Sequence, residues 1–419
     1  MHRNPESPQK NYTPRIREPL PLPFEPFVLP SPPEPPKKPR DIDWYQTLLP
    51  PLIMLVVLFI VASLIRTSGF IFYTMMMMGV YPMARVLAYH IQMRIYKRKE
   101  AERKSKYVKM LKKAEKKILE EIAYQRALLL DEYLDTNQVC QLALGSWKKS
   151  GMLWYRTADE KDFLALRLGL ADGELSFAVE MPEQESYEKD PLLSKAAVLA
   201  NQYQQAPGMP YLLRLDQLGS AAILGPPDLR YGLARRLILD ALVHHRPDEL
   251  HVFVLSTKKN AVETWSWLRW APHCQVISNN KDFNHLAFGV GPAKMLLGRI
   301  EDDLKNEATA AHKFVVVDVN GIQKYDDEAV QKLLQKAAQW PVSFLFVGGK
   351  QLPRSVNGLL KLKNSQRCLF VDTRILDKNS DHANSAARKY VRLDRFPNTE
   401  MCERVARSLS ALKLLNTDS

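Results

Sequence analysis

Two closely spaced apolar runs, residues 48–65 and 70–89, open directly into a densely charged stretch at 94–117, and this juxtaposition constrains the chain more than any other feature. A bilayer core is crossed by roughly 20 apolar helical residues, so each run predicts a membrane helix. The connector Arg66-Thr67-Ser68-Gly69 leaves room only for a tight polar turn, so the pair predicts an antiparallel hairpin with both chain ends on one side. Lys37, Lys38 and Arg40 precede the first run, Arg94, Lys97, Arg98, Lys99, Arg103 and Lys104 follow the second, and only Arg66 lies between. Retention of basic residues on the cytoplasmic face then predicts a multi-pass cell-membrane protein with two helices and both termini cytoplasmic. The bland alternative is a buried helical hairpin. A cleaved signal peptide is disfavoured, because the apolar run starts late and no small-residue cleavage pattern follows it.

The 419 residues leave room for one large or two small domains beyond the hairpin. The net charge of +13 is concentrated in the stretch after the hairpin, where attraction to anionic lipid accounts for it more simply than nucleic acid does. Cys140, Cys274, Cys368 and Cys402 are scattered without a CxxC pair, which argues against structural zinc and suits reduced thiols. Proline dominates the first 40 residues, so this leader is expected to be extended, serving as a tether or as a strap along a partner with Phe24 and Phe27 as anchors. No helix breaker appears over 83–134, and Leu111, Ile118, Ile122 and Leu129 form a narrow apolar seam on a predicted stalk helix.

Short strands are predicted over 140–144, 154–156 and 163–169, with a helix over 186–203 that Ala206-Pro207-Gly208 breaks. An α/β rhythm follows: strands over 220–224, 250–255, 313–317, 342–347 and 367–371, and helices over 228–244, 326–339 and 399–412. Such alternation predicts a mostly parallel sheet covered on both faces. The organisation read from the chain is a Pro-rich leader (1–43), a transmembrane hairpin (44–92), a basic stalk helix (93–136), a small α+β element (137–207) and an ATPase-like α/β domain (208–419).

In that sheet a phosphate loop would follow the first strand, where Gly-rich amides and a helix N-terminus cradle phosphates and a Lys reaches the terminal ones. The loop here is Gly225-Pro226-Pro227-Asp228-Leu229-Arg230-Tyr231-Gly232. It lacks GxxxxGK[ST], its prolines remove donors, and Asp228 sets negative charge where the anion would sit. Asp318, closing Phe314-Val315-Val316-Val317, stands where a carboxylate would hold magnesium, although strand-terminal Asp is more often a cap. Gly348-Gly349-Lys350 ends a late strand and reads as a turn. Gly225, Arg230 and Asp318 are therefore the degenerate nucleotide-binding candidates; were the domain itself a weak nucleotide hydrolase, Asp318 would hold magnesium and Arg230 or Arg235 would contact phosphate, but no residue is assigned a catalytic or metal-ligating role.

The order of these features resembles the N-terminal portion of EssC/EccC, the membrane-bound FtsK/SpoIIIE-type ATPase of type VII (ESX) secretion systems. The resembling residues are the Pro-rich leader, the paired apolar runs and the basic helix, then Trp154-x-Arg156 and Asp162-Phe163-Leu164-x-x-Arg167-x-Gly169. Ala221-Ala222-Ile223-Leu224-Gly225-Pro226 and the block Trp265-Ser266-Trp267-Leu268-Arg269-Trp270-Ala271-Pro272-His273 complete them. Trp154, Arg156, Phe163, Arg167, Gly169, Trp267, Trp270, Pro272 and His273 are read as structural members of the family motifs. The resemblance implies a bacterial cell-membrane component that anchors a secretion channel and couples it to ATPase modules exporting small helical WXG-type proteins. ATP and magnesium belong to downstream modules and no cofactor to this chain, which stops at Ser419 before any complete Walker motif, as a split subunit or a fragment. The expected partners are channel components, those ATPase modules in trans, the bilayer and further copies of the chain, with no nucleic acid. The competing readings are a membrane-tethered nucleotide hydrolase and an FtsK-like DNA-translocase anchor.

Overall fold

The apolar run Phe314-Val315-Val316-Val317 suits a strand covered on both faces, and it forms the centre of β11 (His312–Asp318), an interior strand of a ten-stranded sheet. A computed structural model of the chain describes residues 10–14, 17–41, 43–65, 69–145, 150–182, 190–276, 283–305, 311–318, 334–335, 340–348, 352–353, 355–376 and 386–414. The strands are β1 (Lys10–Tyr12), β2 (Phe27–Val28), β3 (Ala165–Glu174), β4 (Val179–Glu180), β5 (Gln205–Arg214), β6 (Ser220–Leu224), β7 (Leu250–Ser256) and β8 (Gln275–Val276). They continue with β9 (Phe283–Asn284), β10 (Leu286–Phe288), β11 (His312–Asp318), β12 (Val342–Val347), β13 (Gly358–Asn364), β14 (Arg367–Asp372), β15 (Arg388–Leu393) and β16 (Leu412–Leu414). The helices are α1 (Trp44–Ile65), α2 (Gly69–Glu132), α3 (Thr136–Ala143), α4 (Leu193–Gln202), α5 (Leu215–Leu218), α6 (Pro227–His244), α7 (Ala261–Trp265), α8 (Val290–Lys305) and α9 (Thr399–Ser410).

The chain divides into two units, one of residues 1–23, 123–175 and 205–419, the other of 24–122 and 176–204. In the first unit the sheet runs β10-β7-β11-β12-β6-β13-β14-β15-β3-β5. Neighbours from β10 to β13 pair in parallel and those from β13 to β5 antiparallel. Strands β6, β7, β11, β12 and β14 lie where the apolar runs predicted them. The boundary expected at 207/208 falls inside β5, and β3 and β5 belong to the same sheet as β6. Pro207 and Pro210 conceal β5 as a strand in the sequence, yet β5 is an edge strand, where a missing donor is tolerated.

Three other local expectations are corrected. Residues expected as a strand over 140–144 belong largely to α3, because Asp135 accepts the Gln138 amide at 2.9 Å and the Gln138 side chain accepts the Asp135 amide, a reciprocal capping box. Residues 154–156 make only an isolated bridge, Arg156 to His245. The helix expected over 186–203 shortens to α4 among the described residues. The helix expected over 326–339, apart from residues 334–335, and most of the Arg66-Thr67-Ser68-Gly69 turn lie outside the described residues, as do Gly349 and Lys350 of the late turn.

The second unit holds the Pro-rich strap, α1, most of α2, and α4. Proline has no N–H to donate to a regular ladder, so a Pro-rich segment is held by donors from elsewhere to its carbonyls. Here the Pro33 carbonyl accepts the Arg103 side chain at 2.7 Å and the Pro30 carbonyl accepts the Tyr107 hydroxyl at 3.2 Å. Arg103 also pairs with Asp190. The strap is thus held by its own chain through β2, which pairs with β4, and buries Leu29, while Phe24, expected as a partner anchor, is 72% exposed. The seam of α2 is buried at Leu111, Ile118 and Ile122.

Among the described residues no helix is long and apolar enough to cross a membrane. The expectation of a two-helix, multi-pass membrane protein with both termini cytoplasmic is corrected accordingly. Pro50 and Pro51 lie inside α1, and the second apolar run is no separate helix but the start of the 64-residue α2, which carries Arg85 before its charged continuation.

Candidate functional site

Open parallel sheets present ligands at the C-terminal ends of their strands, and the sequence candidates fall there. β6 ends into Gly225, β7 at Ser256, β11 at Asp318 and β12 into Gly348. Helix α6 starts directly after Gly225 with Pro226 as its N-cap and Pro227 as its first residue, so two amides that could face an anion are missing and no side chain caps the end.

Asp318 is fully buried and saturated with donors. Its carboxylate accepts the indole N–H of Trp265 at 2.8 Å, the hydroxyl of Ser256 at 3.2 Å and the hydroxyl of Tyr231 at 3.3 Å. The ammonium of Lys258 is ion-paired with it and also donates to the Tyr231 hydroxyl. Burial, then the Asp318 charge, push the Tyr231 phenol well above its ordinary value. Lys258, Tyr231, Ser256 and Trp265 went unread in the sequence as partners of Asp318. The one available signal was that Lys258 lies two residues beyond the end of an apolar strand, and many surface lysines do the same.

Gly225 has φ +146, and a β-carbon there would fall 2.8 Å from Cβ of Leu362 on β13. Close packing between β6 and β13 therefore accounts for this glycine without a ligand. The Arg230 guanidinium lies against Gly348, with its Nε buried and unpartnered among the described residues. Arg235 is turned away to the Pro397 carbonyl at 3.1 Å, so the expectation that it contacts phosphate is corrected. A nucleotide with magnesium does not fit this arrangement. The loop lacks donors and a lysine, and a fixed ammonium stands on the carboxylate that would have to hold the metal.

The motif residues gather elsewhere, around α6. Trp154 donates its indole N–H to the Leu242 carbonyl at 3.0 Å, with φ +54. Arg156 donates to the Ala165 carbonyl at 3.1 Å and stacks over Tyr133, 5.0 Å from its ring centre. Phe163 meets His245 edge to face at 5.0 Å. Arg167 pairs with Asp394 at 2.9 Å, and its amide donates to Asp240 at 2.8 Å. Asp240 in turn pairs with Arg236 one helical turn away at 3.0 Å. Burial acts to raise the Asp240 pKa, but Arg236, His244 and Arg156 hold it far below the carboxylate range. Gly169 lies between β15 and β5, where a β-carbon would fall 2.0 Å from the Arg392 carbonyl oxygen. Trp267 is buried, and Trp270 donates to Glu403 at 3.2 Å under the Arg407 guanidinium, 3.9 Å from its ring centre. Pro272 opens a short 3-10 turn that carries buried His273 against the His245 carbonyl at 2.8 Å.

No family model matches the chain. EssC of Staphylococcus aureus strain MSSA476, a type VII secretion system protein, is 24% identical over 363 residues, covering 82% of this chain and 24% of the relative. The ESX secretion system protein EccC of Thermomonospora curvata is 26% identical over 144 residues, covering 34% of this chain and 11% of the relative. The chain is homologous to the EssC/EccC secretion ATPases. It spans about a quarter of the length of the curated EssC relatives it matches. Among solved structures it is similar to the cytoplasmic domain of the T. curvata type VII secretion ATPase EccC, with 12% identity, a TM-score of 0.37, and coverage of 61% of this chain and 32% of the other. The mixed α/β build, with a long helix and a mostly parallel sheet, accompanies this EssC/EccC homology.

Proposed function

We propose that this chain is a non-hydrolysing coupling component of a type VII secretion machine, linking its other components to ATPase modules that drive export of small helical WXG-type proteins. The homology supports the machine, and the Lys258–Asp318 pair supports the absence of hydrolysis. A carboxylate already saturated by an ammonium, an indole and two hydroxyls has no free lone pair for a hydrated metal. The sheet then serves as a docking body, and the arginine–aspartate network around α6 keeps it in one arrangement.

Two measurements test the reading. Calorimetric titration of the full chain with ATP and magnesium is expected to give no heat at millimolar nucleotide, and saturable binding with phosphate release would overturn the non-hydrolysing part. Deleting the whole chain in the producing cell is expected to abolish secretion of WXG-type proteins. Unchanged secretion would overturn the coupling part.

A further inference from the structure

Strands β14 and β15 set Arg367 directly opposite Arg392. Like charges facing each other across a strand pair cost stability, and among the described residues no carboxylate compensates either of them. β15 in turn sets Arg392 opposite Leu170 of β3. Arg126, near the end of α2, comes close to Gly208 of β5, where a β-carbon would be 3.8 Å from one of its terminal nitrogens. These residues line a half-open groove of about 640 Å³, within the size range of small-ligand sites, roughly 300–1,000 Å³. Tyr390, on the same strand face as Arg392, is 77% exposed at its wall. Three guanidinium groups thus stand in the groove against one carboxylate, that of Asp172.

We propose that this groove binds an acidic peptide segment, one side-chain carboxylate bridging Arg367 and Arg392 while Arg126 supplies a third donor. Paired guanidinium forks suit a planar carboxylate. An apolar side chain beside that acid would lie against Tyr390, Leu170 and Pro207. Such walls, together with Asp172 at the rim, favour a peptide over a nucleic-acid backbone, whose continuous phosphates would meet both apolar surface and a like charge. The unresolved arginine pair is then a feature retained for a partner, and it does not depend on the secretion reading.

The test is fluorescence anisotropy of the full chain with a labelled octapeptide of alternating Asp and Leu, compared with its Asn and Leu counterpart. The acidic peptide is expected to bind at least about tenfold more tightly, as charge-assisted bonds require. The double variant Arg367→Gln with Arg392→Gln is expected to lose about tenfold in affinity, with an unchanged or higher Tm because the facing charges are gone. Tyr390→Ala should weaken binding less, and Lys363→Gln, on the neighbouring β13, should leave it unchanged. Equal binding of the Asn peptide, an equal loss in Lys363→Gln, or a fall in Tm of the double variant would overturn the proposal. Displacement of the peptide by an oligothymidylate that binds more tightly would overturn it in favour of nucleic acid.

Discussion

The ammonium of Lys258 is ion-paired with the carboxylate of Asp318 at the C-terminal edge of the parallel strands, with side chains only 8% and 1% exposed. Removing one member of a buried pair typically costs about 3–5 kcal/mol, because it strands the other charge. Here Trp265 and Ser256 still serve the carboxylate, so Lys258→Met is expected to cost about 2–4 kcal/mol. Urea denaturation reads this directly. Combining Lys258→Met with Asp318→Asn should cost less than the two single changes summed, since the charge left unpaired by the first is removed by the second. Additive losses would mean that the ion pair is not what holds this edge together.

Gly169 stands opposite Leu393 of β15 on one side and Tyr211 of β5 on the other. A methyl group there would collide with the Arg392 carbonyl, which as backbone cannot swing aside. Gly169→Ala should therefore force β15 away from β3 and destabilise the protein by about 3 kcal/mol, the upper end of ordinary overpacking. Hydrogen exchange localises the effect: amides of β15 should lose protection before those of β11 and β12. Uniform protection in the variant would show that the strands accommodate the methyl group.

Legibility followed the strength of the local signal. β6 and β12 lie within the residues expected of them, because a strand buried on both faces must be apolar throughout. β13 and β15 are broken by Lys and Arg and β5 carries two prolines, so none shows the continuous apolar run that marks the buried strands. α3 is marked in the sequence by its capping residues Asp135 and Gln138, but Val139 and Cys140 favour a strand locally, and the cap decides. At the candidate site Gly225, Arg230 and Asp318 could be found by position relative to strands. Their partners could not, because Lys258, Tyr231 and Trp265 come together from a strand end and two separate helices, a convergence that spacing along the chain does not encode.

Within the first unit Arg17 ties the N-terminal segment down through Asp162 at 2.6 Å, Glu132 at 2.6 Å and Glu160 at 2.9 Å. Burial works to raise the Asp162 pKa, but the bonds from Arg17, the Arg156 charge and the Tyr133 hydroxyl outweigh it and leave the carboxyl below its usual range. A depressed carboxylate stabilises fully above its unfolded value of 3.8 and loses that contribution as pH falls below it. Arg17→Gln is expected to expose the leader to limited proteolysis at neutral pH. The unmodified protein should show the same early cleavage only well below about pH 4, where the depressed Asp162 carboxylate takes up its proton in the folded state. Identical cleavage of variant and parent at neutral pH would remove Arg17 from the account.

His245 accepts the Leu164 amide on Nε2 at 3.0 Å while its Nδ1 faces the Ala241 carbonyl at 3.0 Å, which fixes a neutral ring with the proton on Nδ1. Leu164 holds φ +50 at this bond. Burial, reinforced by the Arg156 charge, lowers His245 to about 3, and burial likewise lowers His273 to about 4 and His285 and His312 to about 3. Folded values below the unfolded 6.5 mean that the unfolded chain binds more protons between these limits. Stability is then complete above about pH 6.5 and falls as the solution is acidified. All four shifts have the same sign, so their losses act together as the pH falls below 6.5. Thermal unfolding at pH 7, 6 and 5 should show a steep, accelerating loss of Tm, and His245→Gln, whose amide oxygen can still accept the Leu164 N–H, should reduce the slope by one proton's share. A Tm that stays level from pH 7 to pH 5 would mean that these rings titrate normally in the folded protein.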